Sequence, residues 1–85
     1  MKYRKKPVVI DAFQWDGTFG SFNEIYEFAF NISTRPMSLG SRGFIINTLE
    51  GEMTVDKNDW VIFGVKGEPY PCKPDIFEMT YEAVA

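Results

Sequence analysis

Cys72 is the single thiol of this 85-residue chain, and Lys73 follows it directly. A cysteine nucleophile works as the thiolate, and a neighbouring cation lowers the thiol pKa. It also needs a base, and the sequence contains no histidine. That removes Ser-His-Asp and Cys-His catalysis, HExxH zinc sites and mixed Cys/His fingers. Held in a corner between Pro71 and Pro74, Cys72 reads as a residue that packs inward. The carboxylates come in two close sets, Asp56 with Asp59 and Glu50 with Glu52. Paired carboxylates do acid–base work when a pocket holds their pKa values apart. Both sets sit at turn signals and read as turn formers on a solvated surface. The EF-hand spacing is missing. No catalytic, cofactor-binding or metal-ligating residue is assigned, and no enzymatic activity follows.

Phosphate chemistry is equally poorly supplied. There is no GxxxxGK[ST] loop, the segment Gly64-Val65-Lys66-Gly67 is too short to replace it, and no GxGxxG follows a strand. Lys66 and Lys73 could hold an anion near a helix beginning at Pro74, although an ordinary helix start explains the same residues. Trp60 reads as packing. Tyr70, set among Lys66, Glu68 and two prolines, reads as showing a ring face or hydroxyl. The candidate partner or ligand surface is therefore Lys66, Glu68, Tyr70, Lys73 and Asp75.

Charge narrows the partner class. Lys2, Arg4, Lys5 and Lys6 crowd a basic lead over residues 1–6, read as a solvated, flexible terminus. Positions 8–85 then carry five basic and twelve acidic residues, a formal net charge of -7 within a total of -3. Such a body repels a phosphate backbone, which disfavours direct nucleic-acid binding. One cysteine allows no intrachain disulfide and fits a reducing compartment. No apolar run approaches the about 20 residues of a membrane span, so no membrane association is expected. With 45% hydrophobic and 16% aromatic residues the chain supports one small core, a single domain over 1–85. Eight Phe, four Tyr and two Trp exceed what that core needs. Some should remain exposed for a partner or for a homodimer.

The elements that must position these residues follow from periodicity. Val8–Trp15 reads as a strand, with large apolar groups on both parities and cover on both faces. Asp16-Gly17 closes it. Ser21 with Glu24 forms a capping box before an apolar stripe of Phe22, Ile25, Tyr26 and Ala29, predicting a helix over 22–30. Residues 31–42 read as a connection, with Thr34–Met37 a short edge segment in it. Phe44–Leu49 and Glu52–Val55 form a hairpin around Glu50-Gly51. Asp56–Asp59 turns the chain into a strand Trp60–Phe63. Gly64–Gly67 reverses it, and Glu68–Pro71 returns as an edge strand, since two prolines remove ladder donors. Pro74 opens a helix over 74–79, lined on its inner side by Ile76, Phe77 and Thr80, and Tyr81–Val84 is extended. The class is α+β, a small, mostly antiparallel sheet with one helix in the N-terminal half and a short C-terminal one.

The opening MKYRKKPVVIDAFQW and the block DWVIFGVKGEPYPCKPDIFEMTYEAV resemble a family of small, mostly uncharacterised tailed-bacteriophage and prophage proteins. Relatives there look like KKPVVIEAFQW and GDWIIRGVKGEFYPCKPDIFEKTYEPV. The likeness covers both ends and, less closely, TLEGEMTV, and fades from Thr18 to Ser41. Asn58 stands where glycine is usual, Asp11 where glutamate is, and Phe63 near a position often polar or basic. The resemblance implies a phage or prophage origin and the host bacterial cytoplasm. Joined to the acidic body and the aromatic load, it leads to an expected role. That role is a small accessory protein binding a host or phage protein, with inhibition one form of it. The alternatives are a small-ligand or nucleotide-binding module, and a phage structural or assembly protein.

Overall fold

A computed structural model describes residues 1–3, 8–32, 37–48 and 50–84 of the chain. Six strands and two helices follow in the order β1 (Asp11–Gln14), α1 (Phe19–Asn31), β2 (Met37–Gly40), β3 (Gly43–Thr48), β4 (Gly51–Val55), β5 (Trp60–Phe63), β6 (Pro69–Cys72) and α2 (Pro74–Thr80). The α+β class expected from periodicity is the one found. The strands divide into two antiparallel three-stranded sheets, β1-β5-β6 and β2-β3-β4. Arg4–Lys6 of the basic lead, the Thr34–Pro36 part of the expected edge segment and Leu49 of the hairpin lie outside the described residues.

The first strand is shorter than its sequence promises. Pairing with β5 runs from Asp11↔Phe63 to Gln14↔Trp60. Val8–Ile10 run on ahead of it, unassigned to any strand, with Val8 and Val9 exposed. The β1–β5 pairing stops at Phe63, where β5 ends, so apolar character alone does not make these residues a strand. Trp15 continues the contact irregularly: its N–H donates to Asp59 O at 2.9 Å, and its carbonyl accepts from Asn58 N at 2.7 Å. Asn58 takes φ 74 to allow this, a conformation that Asn tolerates better than most residues.

The helix α1 begins three residues earlier than the expected capping box. Thr18 is the N-cap, its Oγ1 accepting from Ser21 N at 3.2 Å. Asp16 Oδ1 fixes Thr18 in turn, accepting from its N–H at 2.9 Å and its hydroxyl at 2.6 Å. Thr18 also accepts from Trp15 Nε1 through its carbonyl. Ser21 is released from capping: its hydroxyl donates to Gln14 O and accepts from Asp16 N, tying the helix start to the end of β1. The Asp16-Gly17-Thr18 turn won because Gly17, at φ 91, lets a side-chain cap close one residue after it.

The segment read as a connection contains a further strand. Met37 and Leu39 alternate with Ser38, and β2 pairs with β3 from Met37↔Ile46 to Gly40↔Gly43. The β3–β4 hairpin is as expected, closing at Thr48↔Gly51 with Gly51 at φ 114. Thr48 Oγ1 locks it, donating to Gly51 O and accepting from Glu50 N.

The main core forms where α1 and the two sheets meet. Phe22, Ile25 and Ala29 of α1 join Trp15, Phe44, Ile46, Val55, Val61 and Phe63. Its contacts are largely aromatic, with Phe44 edge-on to Phe22 at 4.8 Å and to Trp15 at 5.3 Å. Phe13, Phe28 and Phe63 form a second triple, with centroids 4.8 to 5.9 Å apart. Such offset rings add to the burial itself.

Candidate functional site

On the opposite face of β1-β5-β6 from that core lies the stretch that the sequence singled out. Alternation in the ladder puts Ala12, Trp60, Ile62 and Tyr70 on this face. Ile62 is buried here, outside the main core. Phe77 of α2 stacks on Trp60 with centroids 3.9 Å apart and planes 6° from parallel, and Tyr81 follows at 5.2 Å. The stack is what fastens α2, which has no fully buried residue. Ile76, expected on the inner side, is half exposed, and Thr80 spends its hydroxyl on Ile76 O. In this seven-residue helix Pro74 and Phe77 are the partly buried residues, and Phe77 carries the stack on Trp60.

Beside the stack the surface is concave. A groove of about 820 Å³ runs between Val8–Ile10, the turn Gly64–Glu68 and the end Thr80–Val84, with Tyr70 in its wall. A neighbouring hollow of about 400 Å³ shares Val8–Ile10, Tyr81, Glu82 and Val84 and reaches Trp60 and Phe77. Among the described residues the charged ones lining the two are Glu68 and Glu82. Burial, reinforced by the neighbouring Tyr81 hydroxyl and the Glu68 charge, pushes the Tyr70 hydroxyl up to about 12, so it stays neutral at physiological pH.

The five residues of the sequence-derived surface do not come together. Glu68 and Tyr70 line the groove. Glu68 is partly committed, since its Oε2 accepts from Lys66 N at 3.1 Å and its carboxylate packs over Gly64. Lys66 supplies that N–H from the turn. Lys73 points elsewhere, donating to Asp56 Oδ2 at 2.7 Å and Asp59 Oδ2 at 2.9 Å. Asp75 accepts from Ile76 N in the first turn of α2. The anion site sketched from Lys66 and Lys73 is therefore not formed, because Lys73 is held by two carboxylates.

Asp59 is where sequence reasoning fell shortest. Expected on a solvated turn, it is 3% exposed. Its Oδ2 accepts from Asp56 N at 2.9 Å as well as from Lys73. The signal lay in the hairpin register: Trp60 pairs with Cys72, so one step further sets Asp59 across from Lys73. The hydrogen bonds to Asp56 and then Asp59 push Lys73 up to about 12. Cys72 moves the wrong way for a nucleophile. Burial first, then the charges of Asp59 and Asp75, raise its thiol above the ordinary value, so Lys73 does not activate it.

A second surface feature lies on α1. Phe22 turns inward, while Phe19 (70% exposed), Tyr26 (41%) and Phe30 (74%) share the adjoining stripe and face outward. Phe19 and Tyr26 each lean on Phe22, at 6.3 and 5.8 Å. No known protein family, curated protein or solved structure matches the chain. Among the described residues no helix is long and apolar enough to cross a membrane, and no cluster of three or more His, Cys, Asp or Glu could hold a metal.

Proposed function

We propose that this chain is a small accessory protein of a tailed bacteriophage or prophage that binds a host or phage protein in the bacterial cytoplasm. Occupying a basic, nucleic-acid-binding groove of that partner is one form the binding takes, given the acidic body. The observation that supports the reading is the row Phe19, Tyr26 and Phe30. These rings are exposed on the helix flank beside a core already filled by Phe22, Ile25 and Ala29. Aromatic side chains presented this way make rigid anchors for a partner. The test is capture from host lysate with the tagged protein. A saturable partner should be retained by the wild type and lost by the Phe19→Ser/Phe30→Ser variant, with the helix intact by circular dichroism. Failure to recover a saturable partner across hosts and salt concentrations would reject the reading.

The groove beside Tyr70 supports a second reading, a small-ligand module. Its lining of Glu68 and Glu82 disfavours the phosphates of a nucleotide. Titration with neutral and cationic small molecules, nucleosides among them, followed by chemical shifts at Tyr70 and Tyr81, separates this reading from the first.

A further inference from the structure

The cleft between Val8–Ile10 and Tyr81–Val84 has a chemistry distinct from the α1 row. Its walls are aliphatic and aromatic, and among the described residues its lining charges, Glu68 and Glu82, are both negative. The nearest helix adds Asp75 and Glu78 and no cation, while Lys73 is already neutralised by Asp56 and Asp59. Its length also matters. The two hollows share the same two walls, so together they form an open trough larger than one side chain fills. Both walls are backbone in loose form: Val8–Ile10 precede the last β1–β5 pair, and Tyr81 leaves α2 extended at φ -126, ψ 152. An extended segment laid along such a trough has alternate side chains read on either side.

We propose that this cleft binds an extended segment of a partner protein in which Lys or Arg alternates with aliphatic residues. The aliphatic side chains lie on Val8, Val9 and Val84, and the cations reach Glu82 and Glu68 beside the Tyr70 ring. Charge complementarity selects the occupant: an acidic or phosphorylated segment meets two carboxylates and, among the described residues, no lining cation. Tyrosine faces also attract a guanidinium.

The probe is a fluorescein-labelled, end-capped octapeptide alternating Arg and Val, followed by anisotropy and by chemical shifts of the full chain. Expected are saturable binding, shifts confined to the cleft, weakening as salt rises, and a loss of about tenfold or more in Glu82→Lys. Glu82 is exposed in irregular chain, so this variant should keep its fold by circular dichroism. Val9→Ser is the second variant, expected to weaken the same peptide by removing apolar contact without adding a charge. Equal binding of a Glu–Val octapeptide, or indifference to both substitutions, would overturn the proposal. So would arginine amide giving the same shifts at the same affinity, which marks a small-molecule site. A salt-sensitive dimer in sedimentation, abolished by Glu82→Lys, would assign the cleft to a second copy of the chain instead. The α1 variants leave this peptide binding unchanged, so failure here and failure of the captured partner are read separately.

Discussion

Lys73 Nζ lies between Asp56 and Asp59, and the three side chains tie the turn before β5 to the corner after β6. Asp56 and Lys73 are largely exposed, and exposed ion pairs contribute little. The buried Asp59 is the member whose N–H acceptor role is hard to replace. This arrangement has a pH signature. The folded pKa of Lys73, about 12, exceeds its ordinary 10.5, so the protonated amine favours the fold. Its contribution is complete below about 10.5 and is lost as pH rises through 12. Urea melts from pH 9 to 12 should show wild-type stability falling in that window by more than Lys73→Met does. Tyr70 titrates in the same window, and subtracting the variant removes its part. Neither Asp59 burial nor the Lys73 contact was readable from residue type, because a turn carboxylate is ordinarily solvated and the pairing depends on a ladder formed across 14 residues.

Elements were legible where a period or a breaker marked them. Trp60–Phe63, the hairpin around Gly51 and the Pro74 helix emerged close to the expected bounds because apolar runs and Gly or Pro punctuation agree there. The start of α1 did not. Ser21 and Glu24 satisfied a capping pattern, yet Gly20 beside Ser21 hid one more turn of helix. Gly20 weakens that turn, since glycine in a helix costs about 1 kcal/mol relative to alanine. A Cβ there meets nothing within 4 Å. Gly20→Ala should therefore stabilise the protein by about 0.5–1 kcal/mol, seen as a raised thermal midpoint. β2 was misplaced for a different reason: the expected edge segment Thr34–Met37 shares only Met37 with it. Four residues carry too little alternation to outweigh the Ser, Pro and Gly around them, and only pairing with β3 makes Met37–Gly40 a strand.

At the scale of the molecule, a single small sheet was expected and two were found. Burial explains why both are needed: Phe44 and Ile46 of the second sheet and Val61 and Phe63 of the first close over α1 from two sides. The groove was legible only in part. Tyr70 and Glu68 were identified, but its other walls come from Val8–Ile10 and Tyr81–Val84, the two ends of the sequence, whose meeting no local pattern announces. The two prolines of β6 carry the matter further. Gly64 N donates to Glu68 O, and alternation from that bond turns the N–H groups of Tyr70 and Cys72 toward β5. Positions 69 and 71 then face away from β5, and as prolines they have no N–H to give. β6 lies against β3 and β4 without pairing to them. Among the described residues the boundary between the sheets is thus a seam with no backbone ladder across it. Along such a seam the molecule can breathe. Native-state amide exchange should resolve two protected units, one centred on β3 and one on β5, that open independently in low denaturant. A single all-or-none exchange of both would show the seam to be as rigid as a ladder.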